Sequence, residues 1–304
     1  MRIAVIDLGT NTCNLLIAET NSPTYEILHQ SKQLVRLGDD KIKTNEISFE
    51  ATARVIQSFD IHKKIMQKFE VDKTRVIGTS AIRTAANKIG FLEEIAEKTG
   101  LLVKVVSGEE EAELIFKGVL LAFNELINPS VILDIGGGSN ELILAKNKEM
   151  LWKESQATGM ARIINKFQIS DPILPKEILK LKGYFSEEHK NAFQQSKFNS
   201  VQSLIGCSGA FDTICDIIDQ VNPGDKQRTT QNISLDEFYR IYEILLRSTR
   251  QQRLTMKGMD MVRVDLIVPA VILIEALISD IGIKQITQTD FALREGVLFE
   301  MITK

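Results

Sequence analysis

Two phrases of this sequence repeat each other: "AVIDLGTNTCNLLIA" at 4–18 and "VILDIGGGSNELILA" at 131–145, offset by 127 positions from Asp7 to Asp134. In register, Gly9 maps on Gly136, Thr12 on Ser139, Leu15 on Leu142 and Ala18 on Ala145. Each copy reads as strand, Asp, glycine turn, strand. Glycine lets backbone N–H groups approach a ligand without a Cβ in the way, and consecutive N–H groups in such a turn form a nest for phosphate oxygens. The hydroxyls of Thr10, Thr12 and Ser139 and the amide of Asn11 add donors. Asp7 and Asp134 sit where the strand meets the turn, and a carboxylate there can hold a hydrated Mg²⁺ or orient water. Two such turns facing one another would clamp a phosphate chain from both sides. The plainer alternative is a pair of glycine hairpins with no chemistry, and repetition in register weighs against it. The turns are not a Walker A loop, since no Gly-Lys-[Ser/Thr] follows, nor a dinucleotide fingerprint, since the next element is a strand.

Three further groups have types suited to chemistry. "IGCSGAFD" at 205–212 reads as strand, glycine turn, helix, so Gly206, Ser208 and Gly209 could present N–H groups at a helix N-terminus, an anion site; packing alone could equally demand those glycines. A loose nucleophile-elbow likeness at Ser208 is set aside, since no histidine lies nearby in sequence. Glu109, Glu110, Glu111 and Glu113 crowd one helix start, which complements the helix dipole or supplies a general base with a raised pKa. Arg83 reads as a surface residue opening a helix or as a phosphate ligand. The cluster Arg247, Arg250, Arg253, Lys257 and Arg263 is a solvated helix face or the lining of a polyanion groove.

The elements that must position these residues alternate between strand and helix. In the first half, strands at 2–7, 13–19 and 24–30 precede a helix over 48–69, where Ala51, Val55, Phe59, Ile65 and Phe69 follow helical spacing. A strand at 75–80, a helix over 84–99, a strand at 101–107 and a helix over 109–126 follow. Asn128-Pro129 breaks that helix and marks a domain boundary. The second half restarts with strands at 130–136, 140–146 and 149–156, a helix from 158, helical stretches over 175–198, and a strand at 201–207. Helices over 208–219, 234–250 and 263–281, a strand at 284–288 and a last helix from about 290 complete it. The expected fold is α/β: two copies of one domain, 1–127 and 128–304, with a cleft between them and the last helix (290–304) able to pack back on the first copy.

Bulk composition bounds the partners. A chain of 304 residues suffices for two cores, and its 44% hydrophobic and 25% charged content is that of an ordinary globular protein. Lys and Arg number 16 against 18 Asp and Glu in residues 1–125, and 21 against 22 beyond, so neither half is a basic block for nucleic acid. Three cysteines (Cys13, Cys207, Cys215) and three scattered histidines lack metal spacing, which predicts reduced thiols and no structural zinc. With no signal-like segment and no apolar run long enough to span a bilayer, the expectation is a cytoplasmic protein without membrane or nucleic-acid partners.

Paired Asp-Gly hairpins with a third glycine turn resemble the acetate and sugar kinase/Hsp70/actin superfamily, in which each domain is ribonuclease H-like. Within it, "DLGTNTCNLLI" (7–17), "GTSAIRTAAN" (78–87), "VVSGEEEAELIFKGV" (105–119), "DIGGGSNEL" (134–142), "GCSGAFD" (206–212), "MVRVDLIVPAVILIEAL" (261–277) and "LREGVLFE" (293–300) resemble the exopolyphosphatase/guanosine pentaphosphate phosphohydrolase (Ppx/GppA) family in its short, two-domain form. The resemblance implies that Glu111 activates the attacking water and that Arg83 faces the phosphate. It places Asp134 and Glu141 near the metal, and Asp7, Gly9, Thr10, Asn11, Gly136, Gly137, Gly138, Ser139, Ser208 and Gly209 at the phosphates. Asn14, Asn140, Met160 and "VPA" at 268–270 depart from the pattern.

The implied reaction is Mg²⁺-dependent removal of the terminal phosphate from inorganic polyphosphate, with K⁺ as a candidate second cation. Guanosine pentaphosphate is the rival substrate, and the resemblance suggests a homodimer. An ATP-dependent kinase of the same superfamily, or a non-catalytic polyphosphate or alarmone sensor, are the competing classes.

Overall fold

The computed structural model describes residues 1–21, 24–38, 45–123 and 125–303. It divides into two units, Met1–Gly118 with Leu293–Lys304, and Val119–Ala292. The first unit holds strands β1 (Arg2–Leu8), β2 (Thr12–Asn21), β3 (Thr24–Leu34), β4 (Lys73–Gly78) and β5 (Val103–Val105). Its helices are α1 (Phe49–Lys68), α2 (Ser80–Arg83), α3 (Lys88–Thr99) and α4 (Gly108–Ala122, whose last turn passes into the second unit). The second unit begins with β6 (Leu126–Ile135), β7 (Asn140–Asn147) and β8 (Glu149–Gln156). Then come α5 (Met160–Phe167), α6 (Pro175–Glu188), α7 (Lys190–Phe198), β9 (Ser203–Cys207), α8 (Gly209–Asp219), β10 (Gln231–Ile233), α9 (Leu235–Arg247), α10 (Arg250–Leu254), α11 (Ile267–Ile281) and β11 (Gln285–Thr289). The chain returns to the first unit as α12 (Leu293–Ile302).

The sheets repeat one topology. In the first, the order is β3-β2-β1-β4-β5, with β1–β2 and β2–β3 antiparallel and β1–β4 and β4–β5 parallel. In the second, β8-β7-β6-β9-β11 carries the same sequence of directions, and β10 adds an antiparallel edge. This is the duplicated actin-like, ribonuclease H-like α/β plan. The parallel strands are covered on both faces, which is why "IAVI" and "VILD" read as continuous apolar runs. Ile3, Val5, Ile6, Val131, Ile132 and Leu133 are all fully buried.

Several element boundaries differ from those the sequence suggests, each for a local reason. The helix expected over 84–99 begins only at Lys88, after the separate one-turn α2 (Ser80–Arg83); Asn87, just ahead of it, turns its carboxamide to the Ile47 backbone, accepting from its N–H and donating to its carbonyl at 2.9 Å. The helix expected over 109–126 ends at Ala122, and Pro129 lies in an irregularity of β6 between Leu126 and Ser130. A proline has no N–H for the ladder, so it is tolerated at such a bulge. The helix expected over 234–250 stops at Arg247, and Thr249 caps the separate α10 by accepting from the Gln252 N–H. The edge strand β10 was too short and polar to read from its pattern.

Candidate active site

The first turn, Gly9–Asn11, closes on itself: the Gly9 N–H donates to the Thr12 carbonyl at 2.9 Å. Its outer carbonyls are tied down by the segment after β3. Thr10 O accepts from the Gly38 N–H at 3.3 Å, and Asn11 O accepts from the N–H groups of Val35 (2.9 Å) and Arg36 (3.0 Å). In a planar peptide the C=O and the following N–H point in opposite directions. Anchoring the Thr10 and Asn11 carbonyls therefore turns the N–H groups of Asn11 and Thr12 the other way. Asp7 stands opposite Asn14 across β1–β2, and the Asn14 amide donates to Asp7 Oδ2 at 3.1 Å and to Thr12 Oγ1 at 3.3 Å. Asn14 thus fixes both the carboxylate and the hydroxyl that flank the turn.

The second turn, Gly136–Ser139, repeats the device with a different tether. Gly136 N–H donates to the Ser139 carbonyl at 3.0 Å, as Gly9 does to Thr12. The N-terminus of α5 then takes every glycine carbonyl. Gly136 O accepts from the Met160 N–H and Gly137 O from the Ala161 N–H, both at 3.0 Å, and Gly138 O accepts from Arg162 Nε at 2.8 Å. The N–H groups of Gly137, Gly138 and Ser139 consequently point away from α5, three donors in succession, which is the geometry of an anion nest. Gly9 and Gly136, expected as phosphate donors, spend their N–H groups closing the turns. A Cβ on Gly136 would meet Ser139 O at 2.6 Å, so this position must be glycine.

Two residues outside the expected set complete this turn. A Cβ on Gly159 would lie 2.4 Å from Gly138 N and 2.5 Å from Gly137 C, so the strand-to-helix junction can approach the turn only as glycine. Arg162 is the other. The sequence signal was the tripeptide Gly159-Met160-Ala161 at a strand end, which carries no chemistry by type.

Asp134 and Glu141 face each other across β6–β7. Glu141 Oε1 accepts from Ser155 Oγ at 2.7 Å, one strand further out. The third turn follows β9, whose Cys207 is the parallel partner of Asp134. Ser208 adopts φ 67°, an unfavourable region for a residue with a Cβ, and its hydroxyl donates to the Ile135 carbonyl at 3.2 Å. Gly209 lies under the Arg263 guanidinium, whose Nε would be 2.5 Å from a Cβ there. Gly206 serves packing, since a Cβ would run into the Phe211 ring at 2.2 Å.

Arg263 is the cation that sequence reasoning left among a surface cluster. Burial pushes its guanidinium below the usual arginine range, while Asp260, Asp212 and Asp134 pull it back up. The rest of the cluster is engaged elsewhere: Arg247 with Glu243, Arg250 with Asp265, Arg253 with Ser248, Val264 and Asp171, and Lys257 with Asn222. One member of the run, Arg263, reaches the third turn.

In the first unit, Arg83 ends the single turn α2, which β4 feeds through Gly78 and Thr79. Arg83 Nη1 donates to Glu111 Oε2 at 2.7 Å and to the Val106 carbonyl at 3.2 Å. Its Nε and Nη2 donate to no acceptor among the described residues. Of the four glutamates at the start of α4, Glu109 is exposed, Glu110 pairs with Lys104, and Glu111 is 7% exposed. Helical rotation of 100° per residue turns Glu111 inward, beside the buried Ala112, while Glu109 faces out. The first unit thus brings together Arg83 with Glu111, and Asp7 with Thr12 and the Gly9–Asn11 turn. The second brings together Asp134, Glu141, the Gly136–Ser139 turn, Ser208, Gly209 and Arg263.

As a donor set for a metal, Asp134 and Glu141 offer hard carboxylate oxygens on neighbouring strands. Among the described residues no group of three or more His, Cys, Asp or Glu is arranged to hold a metal. Two carboxylates suit Mg²⁺, which keeps waters and takes substrate phosphate oxygens rather than a full protein cage. All three cysteines are buried and none is in a disulfide, and no helix among the described residues is long and apolar enough to cross a membrane.

The chain is similar to known proteins over nearly its whole length. A crystal structure of an exopolyphosphatase from Cytophaga hutchinsonii superposes with a TM-score of 0.94 at 34% identity, covering 100% of this chain and 98% of that one. Exopolyphosphatase 2 of Mycobacterium tuberculosis is 25% identical over 99% of this chain and 98% of its own length. A bifunctional 3-dehydroquinate synthase/phosphatase of Fusobacterium nucleatum is 28% identical over 92% of this chain, which spans only 43% of that longer protein. The model of the Ppx/GppA phosphatase family matches residues 16–304, and with both glycine turns, the paired Arg83 and Glu111 and the duplicated sheet in place, this chain belongs to that family.

Proposed function

We propose that the protein is a Mg²⁺-dependent exopolyphosphatase that hydrolyses the terminal phosphoanhydride of inorganic polyphosphate and releases orthophosphate. The observation that carries this reading is the Arg83–Glu111 pair. One guanidinium nitrogen holds the carboxylate, and the rest of the fork is left to meet phosphate oxygens, a geometry that suits arginine and not lysine. Glu111 takes a proton from water, the water oxygen bonds to the terminal phosphorus, and the bridging oxygen leaves with the shortened chain. Bound Mg²⁺, held by Asp134 and Glu141, would neutralise charge on the phosphate oxygens. The N–H groups of Gly137, Gly138 and Ser139, with those of Asn11 and Thr12, hold non-reacting phosphates. Asp7 orients water or a hydrated cation, and K⁺ is the candidate monovalent partner. The enzyme of this reading is cytoplasmic and homodimeric, the latter open to sedimentation analysis.

Guanosine pentaphosphate offers the same terminal phosphoanhydride, so the deciding assay presents both substrates. Phosphate release with Mg²⁺ is measured for polyphosphate of two chain lengths and for guanosine pentaphosphate, with Glu111→Gln as control. Release from polyphosphate that collapses in the variant supports the proposal. A preference for the nucleotide would rename the substrate, and tight binding without release from either would replace the hydrolase by a sensor.

A further inference from the structure

Behind the Gly136–Ser139 turn runs a chain of four buried polar side chains that the proposed reaction does not touch. Asn140 Nδ2 lies 2.8 Å from Thr158 O and 3.0 Å from Thr158 Oγ1. Thr158 Oγ1 lies 2.9 Å from His189 Nε2, and His189 Nδ1 lies 2.6 Å from Glu154 Oε1. Asn140 and His189 are fully buried, Thr158 is 1% exposed and Glu154 is 7% exposed.

The proton positions follow from chemistry. The Thr158 carbonyl only accepts, so Asn140 must present its NH₂ to it, and the same NH₂ then donates to Thr158 Oγ1. In the tautomer with the proton on Nδ1, the threonine hydroxyl donates a hydrogen bond to His189 Nε2 and the His189 Nδ1–H donates to the Glu154 carboxylate. Acid, imidazole and hydroxyl in this order look like a hydrolytic triad, but the hydroxyl is out of reach of solvent and already accepts from Asn140. Its use lies in what it holds. Asn140 Oδ1 has no donor among the described residues, so the amide keeps this orientation at the cost of an unsatisfied acceptor.

Two adjacent links of the chain, Asn140 and Thr158, abut the glycine turn. Asn140 is the residue directly after Ser139, and Thr158 directly precedes Gly159, after which the N–H groups of Met160 and Ala161 tie down the turn's carbonyls. His189 is fixed in turn by its backbone at the junction of α6 and α7: its N–H donates to Phe185 O, and its carbonyl accepts from the Phe193 N–H. We infer that His189, oriented by Glu154, is a positioning residue: through Thr158 and Asn140 it sets the spacing between the Gly136–Ser139 turn and the start of α5, and so the aim of the three N–H donors. This inference rests on reading that turn as a phosphate site.

The test uses the intact protein and tripolyphosphate as probe, with Thr158→Val, Thr158→Ser and His189→Phe. Valine matches threonine in shape and removes only the hydroxyl; serine retains it. Binding is followed by calorimetry, and hydrogen exchange is followed at the Met160 and Ala161 amides, with Leu142 and Leu144 in the same sheet as reference. Thr158→Val and His189→Phe should weaken tripolyphosphate about ten-fold, the scale of one buried hydrogen bond. They should speed exchange at Met160 and Ala161 relative to the reference amides, and Thr158→Ser should restore both. Uniformly faster exchange with affinity unchanged would reduce the chain to ordinary core packing and overturn the inference. If the unmutated protein fails to bind tripolyphosphate, the functional reading falls, and the relay stands or falls on the exchange pattern alone.

Discussion

Glu111 and Arg83 are joined by a 2.7 Å ion pair between two elements far apart in sequence, the first turn of α4 and the end of the one-turn α2. The Val106 carbonyl accepts from the same arginine nitrogen, so both groups are fixed before any substrate arrives. A base and an anion ligand held as one unit should behave non-additively. Glu111→Gln should lower kcat by at least a hundred-fold, the usual share of a general base. Arg83→Met should raise KM as well as lower kcat. The double variant should lose little beyond the worse single variant; full additivity in steady-state phosphate release would show that the two act independently.

The duplicated turns and the strand–helix order were legible in the sequence because repetition and apolar runs survive without coordinates, whereas the acidic helix start did not by itself separate Glu111 from Glu109, Glu110 and Glu113, and only the family resemblance singled it out. What escaped was whatever depends on a backbone partner. Nothing in the type of Met160 or Ala161 announces that their N–H groups hold the second turn by its carbonyls, nor does the type of Ser208 announce that its hydroxyl donates to Ile135 O. Arg263 looked like its neighbours in a basic run, and only the fold separates it from Arg253, which is buried against carbonyls. Asn140 read as a departure at a position usually filled by Thr, and its amide is the first link of a buried chain.

Gly159 should tolerate no side chain. A Cβ there would sit 2.4 Å from Gly138 N, against backbone that cannot swing aside. Gly159→Ala should cost about 1–3 kcal/mol, the range for overpacking, and should weaken tripolyphosphate through the displaced turn. Gly183, exposed on α6 with nothing within 4 Å of its Cβ position, is the contrasting site. Gly183→Ala should stabilise by about 0.5–1 kcal/mol through the helix preference for alanine. Urea unfolding of both variants checks the pair; equal effects would contradict the packing argument.

Stability should fall at both ends of the pH scale for reasons located behind β2. His62 is fully buried beside the Cys13 carbonyl, at 3.3 Å. Burial pushes its pKa below the usual 6.5, and the Cys13 carbonyl opposes that shift. The folded state then takes up this proton less readily than the unfolded chain, so its contribution is complete above pH 6.5 and shrinks as pH falls below it. Burial also raises the Cys13 thiol from 9.0 to about 12, against a smaller opposing effect of Ser58. That contribution is complete below pH 9 and is lost as pH climbs towards 12. In urea midpoints, His62→Phe should flatten the acid limb below pH 6.5 and leave the alkaline limb in place.

The last helix should prove inseparable from the first unit. Gly296 passes so close to α4 that a Cβ would lie 1.7 Å from the Leu114 carbonyl oxygen, closer than any repacking of side chains can relieve. Four residues on, Glu300 accepts from Arg75 of β4 at 3.1 Å and from Lys117 of α4 at 2.7 Å. These charges are partly exposed, and such pairs contribute at most about 1 kcal/mol each. Backbone proximity at Gly296 should therefore dominate. Gly296→Ala should destabilise by about 3 kcal/mol, at the upper end of overpacking costs, while Glu300→Gln should cost less than about 1 kcal/mol. Denaturant unfolding with an unchanged slope separates the two, because a shifted midpoint at constant slope reports lost stability and not a changed unfolded state. A larger loss from Glu300→Gln than from Gly296→Ala would mean that charge, and not close backbone packing, secures the helix.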